Sequence, residues 1–132
     1  MDAEDRANLF ATMEGVIKST IADKKQDPNW ASKIAKANVR VNIGLQMSKT
    51  EYYFMHMILS PGKDVVVAEG QLPDYDLELQ AAPGDLIFFC NRTFGTVHMV
   101  TKKNEFGDTK LRVKKGIQNV GKLLFVQALL QV

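Results

Sequence analysis

The sequence predicts an α+β domain, and three observations carry that prediction. Apolar residues recur every three to four positions near the start, every second position through the middle, and then around short helices toward the end. At 132 residues, with 45% hydrophobic and 24% charged residues, the chain has the size of one domain and enough apolar content for a core without staples. No repeat, low-complexity tract or Pro/Gly/Ser-rich linker divides it, so residues 1–132 are read as a single domain.

The first element is a helix. Leu9, Phe10, Met13, Val16, Ile17 and Ile21 fall on one face, and the early acids Asp2, Glu4 and Asp5 and the late Lys24-Lys25 suit the helix dipole. Asp27-Pro28 reads as an N-cap and a first-position proline, opening a short helix over Trp30 to Ala37. From Asn38 the period becomes two. Val39, Val41, Ile43, Leu45 and Met47 alternate with Arg40, Asn42, Gly44, Gln46 and Ser48, which predicts a strand with one wet face. Residues 52–59 are apolar on both faces and predict an interior strand covered on both sides. Residues 64–69 give a third strand and residues 74–80 a fourth. Short apolar helices follow over 85–92 and 96–103, then a last strand over 110–114 and a terminal helix over 117–132. In that terminal helix Leu123, Leu124, Phe125, Val126, Leu129 and Leu130 point in nearly every direction, so it must be buried all round or meet something apolar.

Composition excludes several classes. Seventeen basic against fifteen acidic residues give a net charge of +2, too little to imply nucleic-acid binding, and no nucleic-acid partner is expected. That sum hides segments of 0 (1–37), −3 (38–82) and +5 (83–132), a basic final third suited to an anionic head group or membrane surface. The single cysteine, Cys90, forms no internal disulfide and fits a reducing compartment. The acidic start argues against a signal peptide, no apolar run reaches about 18 residues, and a cytoplasmic location is expected.

No catalytic site is expected. His56 and His98 lie in apolar contexts, Cys90 and His98 are separated by a helix break, and no CxxC, HExxH or glycine-rich phosphate loop occurs, so no cofactor, metal or catalytic residue is assigned. The acids Asp74, Asp76 and Glu78 read as one strand's polar face. If that strand neighbours the last one, Asp76 and Glu78 sit across from Lys110, Arg112 and Lys114. The candidate binding chemistry is apolar: Phe88, Phe89, Phe94, Met99 and the 123–130 run, with Met47, Met55 and Met57 among the methionines that supply adaptable lining.

The order helix, four strands, two helices, strand, helix resembles the sterol carrier protein type 2 family of lipid-transfer domains. The residues that carry the likeness are Asp74-Tyr75-Asp76-Leu77-Glu78-Leu79, Asp85-Leu86-Ile87-Phe88-Phe89, Lys110-Leu111-Arg112-Val113-Lys114 and the segment from Asp27-Pro28 to Arg40. Thr109 stands where the family has a glycine before Lys-Leu, and Leu130-Gln131-Val132 lacks the peroxisomal Ser-Lys-Leu address of some relatives. The resemblance implies a five-stranded mixed, mainly antiparallel sheet covered on one face by helices, with a hydrophobic tunnel between the layers. It also implies non-catalytic binding and intracellular transfer of a fatty acid, fatty acyl-CoA, sterol or phospholipid. Carried onto this chain, the lipid-binding residues are Phe88, Phe89, Phe94, Met99, Leu123, Leu124, Leu130 and Met55, with the terminal helix as lid. The alternative is a lipid-free interaction or homodimerisation module with the 123–130 run buried against its partner. A small cone-shaped enzyme fits less well, because the chain ends in a helix after one short strand.

Overall fold

The computed structural model describes all 132 residues. In chain order the elements are α1 (Ala3–Lys24), α2 (Pro28–Lys36), β1 (Val39–Gln46), β2 (Tyr52–Leu59), β3 (Val66–Glu69), β4 (Leu77–Ala81), α3 (Pro83–Cys90), α4 (Thr96–Thr101), β5 (Arg112–Lys114) and α5 (Val120–Leu130). The five strands form one sheet in the order β3-β2-β1-β4-β5, with β1 and β4 parallel and the other pairs antiparallel.

Local chemistry sets the first two helices. Asp2 accepts a hydrogen bond from the Asp5 amide at 2.8 Å, and Asp27 accepts one from the Asn29 amide at 2.9 Å just ahead of Pro28. Such caps are worth about 1 kcal/mol each. Register then aligns the apolar face of the sheet: Val41 lies between Met57 and Leu77, and Ile43 between Met55 and Leu79. Against this face pack Met13, Ile17 and Ile21 of α1, Leu86, Phe89 and Cys90 of α3, and Val126, Leu129 and Leu130 of α5, in one continuous core.

The other face of β1 is not wet. Asn42 and Gln46 are buried there because neighbouring strands and two loops close over them. Asn42 accepts from the Leu72 amide and donates to the Leu72 carbonyl, while Gln46 joins Asn104, Asp108 and Arg112. A central strand can therefore be polar on one face and dry on both. For β2 the correction runs the other way. Met55, Met57 and Leu59 are buried, but Tyr52, Phe54, His56 and Ile58 are only half-buried, since no helix covers that face.

Element ends moved for identifiable reasons. α4 stops at Thr101 because Lys103 bridges Thr109 and the Lys110 amide donates to the Lys102 carbonyl. The Leu111 amide donates to Met99 in α4, so β5 begins only at Arg112. α5 begins at Val120, after a turn over 116–119 in which the Asn119 side chain donates to the Asp76 carbonyl. β4 does lie beside β5, with Glu78 opposite Lys114 and a 3.4 Å ion pair between them. Asp76 instead meets Lys122 of α5 at 3.1 Å, and Lys110 meets Asp85 at 3.1 Å.

Gly44 is fixed by close approach. A Cβ there would stand 2.9 Å from Cε1 of Phe54, its cross-strand partner, and 3.3 Å from Gln80 Cγ. Gly44→Val is expected to cost about 1–3 kcal/mol through overpacking, read from the urea midpoint. Most of that loss should disappear when Phe54→Ala is made in the same chain. A Gly44→Val cost unchanged by Phe54→Ala would show that the ring is not the obstacle.

Candidate ligand-binding cleft

The C-terminal ends of the parallel strands β1 and β4 open onto a cleft of about 510 Å³, walled by the start of α3 and the loop before β5. Its apolar surface comes from Met47, Pro83, Phe88 and Phe106, and its polar rim from Asp85, Lys103, Glu105 and Lys110 among others. Two lysines and two carboxylates leave that rim without net charge.

Phe88 is 44% exposed and meets the edge of Phe94 at a centroid distance of 5.1 Å. Phe94 stacks on His98 at 4.1 Å, and the Lys110 ammonium lies 4.5 Å from the Phe94 centroid while paired with Asp85. The result is an aromatic column at the rim whose cation is already neutralised. Behind it, the Cys90 thiol is buried and pushed up to about 12 by that burial, so it keeps its proton at neutral pH. His98 Nε2 is buried without a hydrogen-bond partner. No three histidine, cysteine or carboxylate side chains converge as a metal-binding group.

The loop that forms the outer wall is held from the sheet. The Gln46 side-chain amide donates to Asp108 at 2.8 Å and its carbonyl accepts from Asn104 at 2.8 Å and Arg112 at 3.0 Å. Asn104 Oδ1 in turn accepts from the amides of Phe106 and Asp108, a side-chain-closed turn that presents Phe106 to the cleft. The hydrogen bond from Gln46, then that from Lys49, holds the Asp108 carboxyl below the usual carboxylate range.

The eight residues named from the sequence divide into three groups. Phe88 lines the cleft, and Phe94 touches it through Phe88. Met55, Phe89, Met99 and Leu130 are fully buried core residues, and Leu123 is half-buried against the same core. Leu124 is 61% exposed and faces outward. Apart from Phe88, none of the eight lines any of the five principal clefts. Met47 is among the methionines expected as adaptable lining, whereas Phe106 and the Gln46–Asn104–Asp108 support were not anticipated, although Asn104 two residues before Phe106 and three before Gly107 is a turn signal that the sequence displays.

A helix layer over one face of a mixed five-stranded sheet is the architecture that the sterol-carrier resemblance implies. Solved structures bear this out. The chain superposes on sterol carrier protein 2 from Yarrowia lipolytica (apo form) with a TM-score of 0.55 at 20% identity, covering 87% of this chain and 89% of that one. It superposes on UbiJ-SCP2, a ubiquinone synthesis protein, with a TM-score of 0.61 at 14% identity, covering 95% and 97%. The fold is thus sterol-carrier-like. No protein-family model and no curated protein sequence matches the chain. No helix is long and apolar enough to cross a membrane.

Proposed function

We propose that the chain binds a hydrophobic lipid and carries it between membranes without covalent chemistry, as a cytoplasmic protein. The observation that carries this reading is the cleft itself, where the exposed Phe88, with Phe94 against it, and the loop residue Phe106 border α3, apolar but for Asp85. The sterol-carrier fold supports it, since its solved neighbours include a protein named a sterol carrier. The balanced rim of Asp85, Glu105, Lys103 and Lys110 suits a ligand with an uncharged or zwitterionic polar end. Four of the six methionines, Met13, Met55, Met57 and Met99, lie in the core. Their unbranched side chains repack at low cost, which lets the helical layer admit an acyl chain or ring system. Each methylene so buried contributes about 0.8 kcal/mol.

Native mass spectrometry of protein purified from cells, with a fluorescent fatty acid titrated into the delipidated protein, tests the proposal. Saturable binding is expected, weakened about tenfold by Phe88→Ser, the worth of roughly 1.5 kcal/mol of aromatic burial. A lipid-free preparation that shows no saturable binding would remove the reading.

One observation favours the second reading, a lipid-free interaction module. The space beneath α3 and α5 is filled by the chain's own Phe89, Met99 and Leu130, while Leu124 stands exposed. In that case light scattering should find a dimer that Leu124→Glu dissociates.

A further inference from the structure

Three of the exposed large apolar side chains lie at and just before the start of α5, beside a second cleft. Ile117 is 94% exposed and Leu124 61%, with Val120 also exposed one helical turn before Leu124. Gly121 follows Val120 on α5 and lines the adjoining groove between α2 and α5, about 410 Å³ in volume. The groove floor is apolar, with Val39 and Phe125. Its charged lining residues are Lys33, Lys36 and Lys122, and no carboxylate lines it.

These lysines differ in how far they are neutralised. Lys122 is paired with Asp76 at 3.1 Å, but Lys33 and Lys36 take part in no salt bridge. Lys33 instead lies over the Trp30 ring at 5.1 Å, and Trp30 packs against Phe125 at 6.0 Å. Counting Asp76 against the three lysines leaves the groove with a charge of +2. The basic final third of the chain, by contrast, spends Lys110, Lys114 and Lys122 on Asp85, Glu78 and Asp76. Arg92, Lys102, Lys103, Arg112 and Lys115 of that third take part in no salt bridge, but none of them lines this groove, where the unpaired cations are Lys33 and Lys36 of α2.

We infer that the α2–α5 groove and the Ile117–Val120–Leu124 ridge form a docking surface for an anionic phospholipid bilayer. A bilayer offers both halves of what this surface lacks: phosphates for the unpaired Lys33 and Lys36, and an acyl boundary for the apolar ridge beside them. Lysine stems lying along apolar surface extend their ammonium groups to head-group level, and Trp30 has the amphipathic ring favoured at that depth. This surface is separate from the Phe88 cleft and stands on its own observations.

The test is co-sedimentation with vesicles of phosphatidylcholine alone and of phosphatidylcholine mixed with phosphatidylserine. Binding only to the mixed vesicles is expected, falling as salt rises. Lys33→Gln with Lys36→Gln should weaken it about thirtyfold, at roughly fivefold per lysine near an anionic surface. Ile117→Ser with Leu124→Ser should reduce it further, with the unfolding midpoint and fatty-acid binding of both variants unchanged. Equal binding to the two vesicle types, or lysine variants that bind like the parent, would overturn the assignment. So would a dimer in light scattering that Leu124→Ser dissociates, since the ridge would then be a contact between copies. Failure to bind vesicles with fatty-acid binding intact overturns the docking surface alone. Vesicle binding without fatty-acid binding supports it and removes the lipid-carrying reading instead.

Discussion

Replacing Leu130 by glutamate will unfold the domain, whereas the same substitution at Leu124, six residues earlier in the same helix, will change stability by no more than about 0.5 kcal/mol. Leu130 is 1% exposed at the end of α5, inside the core shared with α3. The backbone there is tied down as well: the Val132 amide donates to the Cys90 carbonyl at 2.9 Å, and the Gln131 side chain donates to the Phe89 carbonyl. A carboxylate at position 130 has no water and must either ionise in an apolar interior or carry a proton with no acceptor. Either course costs more than about 4 kcal/mol, against a total stability of about 5–15 kcal/mol for a domain. Even Leu130→Ala, which only opens a cavity, should cost about 2–5 kcal/mol. At Leu124 the side chain already faces solvent, and glutamate is nearly as good a helix former as leucine. Circular dichroism with urea titration separates the two. A Leu130→Glu protein with the parent's cooperative transition would mean that α5 can detach without loss of the fold. The contrast also fixes how dimerisation must be tested, because loss of a dimer in Leu130→Glu would report unfolding and only Leu124→Glu reports an interface.

α5 illustrates what the sequence discloses and what it withholds. Its apolar circumference was legible from 123–130, but not which apolar residues would be left outside, because that depends on where α1 and α3 pack against it. α1 and α2 were legible as helices, since a 3.6-residue period, dipole-matched charges and the Asp27-Pro28 cap are local chemistry, although α2 starts at Pro28 and not at Trp30. β1 was misread as half-wet because alternation records side-chain polarity and not the loops that close over Asn42 and Gln46 from 30 and 62 residues away. The +5 of the last third is only partly offset by the fold, which sets Lys114 and Lys122 against Glu78 and Asp76 of the −3 segment while Arg92, Lys102, Lys103, Arg112 and Lys115 take part in no salt bridge. Phe88, which the structure places in the cleft wall, was legible as a candidate because α3 carries it. Phe106 was not, because its position depends on Asn104 reaching Gln46 across 58 residues.

Glu78 is the buried charge on which the outer face of the sheet depends, and Glu78→Leu should cost about 3 kcal/mol. The side chain is fully buried on β4. One carboxylate oxygen accepts from Gln71 at 2.7 Å and from Asn42 at 3.4 Å, and the other from Gln80 at 2.8 Å. Lys114, 3.4 Å away, is 59% exposed and adds little, as surface partners do. Burial acts to raise the Glu78 pKa, but the hydrogen bonds from Gln71 and Gln80, with Lys114, outweigh it and hold the carboxyl below its ordinary 4.5. Leucine fills much of the space yet strips these amides of their acceptor, and leaving buried donors unpaired costs about 1–3 kcal/mol for each. Glu78→Gln keeps one acceptor oxygen and should cost less, about 1–2 kcal/mol. The pH dependence gives the second readout. Because the folded pKa is depressed, the ionised form stabilises the native state fully above pH 4.5, and that contribution is lost as pH falls through the folded value. Asp76, held below 3.8 against the effect of burial by the Arg40 amide and Lys122, likewise loses its share as pH falls below 3.8. Stability of the parent should therefore fall on acidification below pH 4.5, and Glu78→Gln should fall less steeply over the same range while retaining the Asp76 component. Urea midpoints measured from pH 7 downward decide it: parallel curves for parent and Glu78→Gln would show that Glu78 is not the group being titrated.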